Sequence, residues 1–125
     1  MRSYGIRRRF TAALAFAAIA YGGGQAFAHA TLIESTPAKN AILAKPPHEI
    51  RLRFNARIEE RMTRMTLKRN DGTDIPVKVS QSAKGNVLTV AVPELGPGIY
   101  TLGYKVMATD SHITEESISF TVLKH

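Results

Sequence analysis

The sequence predicts an all-β protein, a seven-stranded antiparallel β-sandwich of immunoglobulin-like shape. Three observations carry this. Apolar and polar residues alternate in short runs, most strictly at Glu49-Ile50-Arg51-Leu52-Arg53-Phe54, which is the period-two mark of a strand with one buried face. Turn-forming clusters such as Asn70-Asp71-Gly72 and Gly96-Pro97-Gly98 separate the runs. No long helical pattern stands between them, so about seven short strands remain to be packed, as in a sandwich.

The chain begins with a leader. Arg2, Arg7, Arg8 and Arg9 form a positive segment, and Phe10 to Tyr21 is apolar. Gly22-Gly23-Gly24 follows, and Ala26-Phe27-Ala28 matches the small-x-small pattern of a cleavage site. The apolar run is shorter than the roughly 20 residues that a membrane-spanning helix needs. We expect residues 1–28 to be a cleaved signal peptide and residues 29–125 to be one exported domain with no membrane span. Arg7-Arg8-Arg9-Phe10 resembles part of a twin-arginine signal, so the export route stays open.

The mature elements follow in order. Thr31 to Glu34 reads as a short strand, turned by Ser35-Thr36-Pro37. Ile42 and Leu43 fall in a loop bounded by Pro46-Pro47. Glu49 to Phe54 is a strand with Ile50, Leu52 and Phe54 on its dry face. Arg57 to Arg61 is irregular, a single helical turn or an edge. Met65 and Leu67 mark a strand that turns at Asn70-Asp71-Gly72 and returns through Ile75, Val77 and Val79, where Pro76 implies a sheet edge. Ser80 to Asn86 is a polar loop. Leu88, Val90 and Val92 make a strand closed by Pro93. The longest strand carries Tyr100, Leu102, Tyr104 and Val106, ends at Asp110-Ser111-His112, and precedes a last strand with Ile118, Phe120 and Val122.

Composition narrows the function. The net charge of +7 in 125 residues shrinks when the leader is removed, because 13 basic and 10 acidic residues remain, about +3. That mild charge comes with no nucleic-acid-binding motif, so nucleic acid is not expected as a partner. There is no cysteine, which excludes thiolate zinc and iron–sulfur sites and leaves nitrogen, oxygen and thioether donors. No phosphate-cradling glycine loop and no nucleophilic triad spacing stand out, and we expect no enzyme.

Cleavage after Ala28 makes His29 the first residue. Its freed α-amine and its imidazole can close a chelate ring on one metal ion. Asp110 and His112 lie two apart, which in extended chain puts a carboxylate and an imidazole on one side. Three nitrogens and one oxygen in a tetragonal set suit Cu(II), although Ni(II) or Zn(II) can use the same donors. An α-amine with a pKa of about 7.7–8.0 and an imidazole of about 6.5 release few protons to a metal at neutral pH. The same residues also fit a blander reading, in which Asp110 caps a turn and His112 is a solvated loop histidine.

Several motifs occur in an order that resembles one family. They are His29-Ala30-x-Leu32, Ser35-x-Pro37-Ala38, Ile50-x-Leu52-x-Phe54, Leu95-x-Pro97-Gly98-x-Tyr100, Thr109-Asp110-Ser111-His112 and Phe120-Thr121-Val122. The mature chain resembles the CopC (PcoC) family of periplasmic copper-resistance proteins. The resemblance implies a seven-stranded Greek-key β-sandwich or barrel (cupredoxin-like), a periplasmic location, and a Cu(II) site built from His29, Asp110 and His112. It further implies copper resistance, storage, or delivery to an inner-membrane copper-transport protein.

The chain departs from the family pattern in places. Met62 and Met65 are the only mid-chain candidates for a methionine-rich Cu(I) site, and packing accounts for Met65, so the resemblance is to Cu(II)-only members. Asn55-Ala56 stands where a Ser-Glu pair often follows the strand phenylalanine, with Glu59 or Glu60 as possible replacements. Glu115-Glu116 adds acid after the D-x-H motif, either beside the site or as solvated surface, and Tyr104 takes the place of a Trp. His48 is expected to be exposed, and His125 ends the chain. Arg51, Arg53, Arg57, Arg61 and Arg64 form either one basic docking face or a solubilising surface. Two other functions fit the residues: a copper-dependent oxidative enzyme with a histidine-brace-like site, and an immunoglobulin-like assembly module with no metal.

Overall fold

The computed structural model describes residues 30–124, which contain nine strands: β1 (Leu32–Thr36), β2 (Ala41–Leu43), β3 (Glu49–Phe54), β4 (Arg64–Arg69), β5 (Asp74–Ile75), β6 (Lys78–Gln81), β7 (Val87–Ala91), β8 (Gly98–Met107) and β9 (Ile113–Val122). They form two sheets, one ordered β1-β3-β7-β6 and the other β2-β9-β8-β4-β5. The all-β sandwich is therefore as expected. It holds nine strands rather than about seven for two reasons.

The first is β2. Ala41–Leu43 pairs in parallel with the far end of β9, Ala41 beside Phe120 and Leu43 beside Val122, where the sequence suggests only a loop. Three residues are too few to show an alternation, and a long-range partner creates this strand. The second is the return from the Asn70-Asp71-Gly72 turn. The expected single strand through Ile75, Val77 and Val79 is split at Pro76. Asp74–Ile75 pairs with β4 in one sheet, and Lys78–Gln81 pairs with β7 in the other. Proline has no N–H to give a ladder, and both halves do lie at sheet edges.

The core lies between the sheets. Ile50, Leu52 and Phe54 of β3 and Leu88 and Val90 of β7 meet Tyr100, Leu102, Tyr104 and Val106 of β8 and Ile118, Phe120 and Val122 of β9, all buried. Each of these strands buries alternate residues because side chains on a pleated strand point to opposite faces. Tyr100 stacks on Phe120 at 5.6 Å between centroids, and Phe54 meets Tyr104 edge-on at 5.7 Å. The Tyr100 hydroxyl donates to the Gly96 carbonyl at 2.7 Å, which ties the Gly96-Pro97-Gly98 turn to the core. Met65 packs against this core while Met62, in the 3-10 turn Glu60–Met62, is exposed.

At one end of the sandwich three segments are stitched together. Asn55 and Thr31 bind reciprocally. The Asn55 N–H donates to the Thr31 carbonyl at 3.0 Å, and the Thr31 N–H donates to Asn55 Oδ1 at 2.8 Å. Ile58 bridges to Ala108, and the Glu59 N–H donates to the Met107 carbonyl at 2.8 Å. The start of the described chain, the segment after β3 and the β8–β9 turn therefore share one end.

Candidate metal centre

The β8–β9 connection closes between Ala108 and His112 as a three-residue turn, residues 109–111. The Ala108 N–H donates to the His112 carbonyl, and the Ser111 N–H donates to the Ala108 carbonyl, each at 2.9 Å. Ser111 has φ of 75°. This is a type I turn followed by a left-handed residue, a common way to join antiparallel strands. The β4–β5 turn has the same build. There the Gly72 N–H donates to the Arg69 carbonyl, Gly72 has φ of 91°, and Asp71 Oδ1 accepts the Thr73 N–H at 3.0 Å. In the β8–β9 turn, Asp110 Oδ1 accepts the His112 N–H at 3.0 Å. The bonds from Thr73 hold the Asp71 carboxyl below its usual range.

Asp110 and His112 do converge, but not by the route expected from an extended chain. The left-handed residue between them bends the backbone, and the Asx-type bond from Asp110 to the His112 N–H fixes the bend. His112 Nδ1 then lies 3.0 Å from Asp110 Oδ2. Both side chains remain partly open to solvent. Two donor atoms held about 2.0–2.2 Å from one metal at right angles lie about 3 Å apart, so this pair has the spacing of adjacent ligands on a tetragonal ion. A carboxylate oxygen and an imidazole nitrogen are also the donor types that such an ion accepts.

Among the described residues no three His, Asp, Glu or Cys side chains gather in one metal-binding set. A metal held at this turn would take two donors from Asp110 and His112 and any others from elsewhere. His29 lies outside the described residues, as do the leader 1–28 and His125. Glu59 and Glu60 do not complete a set of three. Asn55 holds no metal-ligand set together either. Its amide clamps Thr31, a positioning role that its place after a strand did not suggest. His48 is exposed, as expected.

Ala30, the first described residue, is buried. With Thr31 and Leu32 it lines a cleft of about 420 Å³ whose other wall includes Tyr104, Thr114 and Glu116. Thr114 is two residues past His112, so the start of the described chain and the D-x-H turn open onto the same end of the molecule. The five arginines do not form one face. Arg51 and Arg53 lie on β3, Arg64 lies on β4 in the other sheet, and Arg53 pairs with Glu34 at 3.3 Å. The Arg57 guanidinium reaches the Lys84 carbonyl at 3.1 Å. No helix of the described residues is long and apolar enough to cross a membrane.

Comparison with known proteins adds a family to this geometry. The family model described as the CopC domain matches residues 32–123. Copper resistance protein C of Xanthomonas campestris pv. juglandis is 29% identical over 123 residues, covering 92% of this chain and 96% of that protein. Copper transport protein CutJ of Bacillus subtilis is 25% identical over 101 residues, 78% of this chain but only 19% of that longer protein. The crystal structure of CopC from Methylosinus trichosporium OB3b superposes with a TM-score of 0.73 at 28% identity, over 78% of this chain and 96% of the other. PcoC from Escherichia coli superposes with a TM-score of 0.68 at 19% identity, over 73% and 97%, a likeness of fold.

Proposed function

Because the chain belongs to the CopC family, we propose that its copper-related function is to bind Cu(II) in the periplasm, through the amine and imidazole of His29 together with Asp110 and His112. In this reading residues 1–28 are removed on export, and the cut creates the chelating terminus. The observation that carries the reading is the shared end of the sandwich. The Asp110–His112 pair, spaced at 3.0 Å, sits in the turn that precedes Thr114. Ala30, the residue after His29, lines the cleft with Thr114. His29 is bonded to Ala30, so the reading has its donors supplied from the Ala30 end of that cleft.

Copper is cargo in this account, and no bond of a substrate is made or broken. The sandwich would hold Asp110 and His112 in place, and the amine and imidazole of His29 would supply the remaining donors. The partial exposure of Asp110 and His112 leaves the ion open to exchange with an acceptor. Acid releases the metal as the nitrogens take up protons. The match to a segment of a protein named for copper transport supports delivery to an inner-membrane copper-transport partner. An oxidative enzyme acting on polysaccharide would need a flat binding surface. The described aromatic residues Phe54, Tyr100, Tyr104 and Phe120 are instead all buried.

The test compares protein starting at His29 with protein carrying one extra residue ahead of it, by Cu(II) titration and electron paramagnetic resonance. The expected result is one tetragonal, nitrogen-rich site in the first and a weakened or absent site in the second. Equal binding by both forms, or by neither, overturns the terminal chelate and brings forward the assembly-module reading.

A further inference from the structure

The inward face of β6 ends on a polar residue. Val79 and Gln81 stand opposite the buried Val90 and Leu88 of β7, so Gln81 holds a core-facing register at the end of an edge strand. A polar side chain is kept in such a place by hydrogen bonds, and Gln81 makes two. Its Nε2 donates to the Ile58 carbonyl at 2.7 Å and to the Gly85 carbonyl at 2.9 Å. Two carbonyl acceptors call for the amide nitrogen, which carries two donors. The bond to Ile58 opens a line of hydrogen-bonded peptides that ends at the D-x-H turn. The Ile58 carbonyl shares one planar peptide with the Glu59 N–H, which donates to the Met107 carbonyl at 2.8 Å. The Met107 carbonyl shares the next with the Ala108 N–H, which donates to the His112 carbonyl at 2.9 Å. Gln81 belongs to the four-stranded sheet and Met107 to the five-stranded one, so the line crosses from one sheet to the other.

We propose that Gln81 is a positioning residue for copper binding, which acts through the 58–59 and 107–108 peptides to fix the backbone from which Asp110 and His112 converge. The proposal rests on the reading of that pair as copper donors. In a trans peptide the C=O and N–H point in opposite directions. Holding the Ile58 carbonyl therefore aims the Glu59 N–H at Met107, and holding the Met107 carbonyl aims the Ala108 N–H at His112. Hydrogen bonds in such a chain polarise one another. The Ile58 N–H is held as well, on the Gly85 carbonyl at 2.8 Å, and Ile58 and Ala108 are buried. Without the Gln81 donor the Ile58 carbonyl loses its partner, the 58–59 peptide is free to tilt, and the hairpin that closes between Ala108 and His112 loosens. The 3.0 Å spacing of Asp110 Oδ2 and His112 Nδ1 is then no longer preset, and the ion must order the turn as it binds, which costs affinity.

The experiment uses protein beginning at His29, as wild type, Gln81→Met, Gln81→Glu and Val122→Ala. Methionine fills the glutamine's space without a donor, and glutamate at neutral pH keeps its outline without one. Val122 is buried at the far end of β9, across from Gly98, so its truncation lowers stability without touching the line of peptides. Cu(II) affinity is measured by competition titration and the site by electron paramagnetic resonance, with thermal melts and amide hydrogen exchange of the copper-free forms. Both Gln81 variants are expected to bind Cu(II) roughly fivefold more weakly, as for one hydrogen bond lost. Their copper spectra should change, and the Glu59 and Ala108 amides should exchange faster relative to that of Leu102 in mid-β8. Val122→Ala should melt lower and keep the wild-type affinity and spectrum. Gln81 variants with wild-type affinity and spectrum overturn the proposal. So does a Val122→Ala protein that weakens copper binding as much as they do, because the effect is then one of general stability. If wild type itself shows no single Cu(II) site, the copper reading has failed and takes the proposal with it, a result distinct from loss of the Gln81 role alone.

Discussion

Asp110 has two separable jobs, and two substitutions part them. Asp110→Asn keeps a side-chain oxygen where Oδ1 now receives the His112 N–H at 3.0 Å, so the Asx-type turn survives. It removes the charge that lies 3.0 Å from His112 Nδ1. Asp110→Ala removes both. The turn bond is solvent-exposed and contributes about 1 kcal/mol. It also helps hold Ser111 at φ of 75°, a conformation that costs a side-chain-bearing residue roughly 1–2 kcal/mol. The copper-free Asp110→Ala protein is therefore expected to lose about 1 kcal/mol and to melt about 4–8 °C lower, given a domain of this size. The Asn variant should melt within about 2–4 °C of wild type, as for a surface change of up to about 0.5 kcal/mol. Both variants should bind Cu(II) more than roughly tenfold more weakly, since a charged donor is gone from each. Melts of the copper-free proteins and Cu(II) titrations of the same samples decide. If Asp110→Asn binds copper as wild type does, the carboxylate is not a donor and the turn is its whole function. If Asp110→Ala melts with wild type, the assignment of the turn bond is wrong.

Two further outcomes are expected. Ser111→Gly places at the β8–β9 turn the residue that already serves at Gly72, where φ is 91°. It relieves left-handed strain at some cost in chain entropy, so a net gain of up to about 1 kcal/mol should appear as a melting point raised by a few degrees, and a lowered one would contradict the geometry. At alkaline pH, burial first, and then the charge and hydrogen bond of Glu116, push Tyr104 up to about 12 from 10.0. Unfolded, this phenol ionises near 10; folded, it stays neutral two units longer. Its contribution is thus fully present below about pH 10 and is lost between about pH 10 and 12, on the order of 2 kcal/mol in all. Urea midpoints of copper-free wild type and Tyr104→Phe across that window should diverge, with the Phe variant flatter, and parallel curves would refute the assignment.

What could be read without coordinates was local. The alternation in Glu49–Phe54 and in Tyr100 to Val106 states which side chains are dry, because a strand has a period of two wherever its partner lies. Asn70-Asp71-Gly72 announces its turn because only certain residues accept a left-handed backbone. The ordered motifs named the family, and with it a copper-related function. What depended on distant partners was not legible. Nothing in Ala41–Leu43 reveals β9 as its parallel neighbour, and nothing in Ile75-Pro76-Val77 says that the two sides of the proline join different sheets. The bend that brings Asp110 onto His112 is set by the hairpin closing between Ala108 and His112. The amide of Asn55 finds Thr31 only because β1 and β3 pair. Glu116 looks like solvated surface in the chain. It is exposed in the fold as well, and only the β8–β9 register shows that it stands opposite the buried Tyr104 at the rim of the cleft that Ala30 lines, because where a core ends is a property of packing.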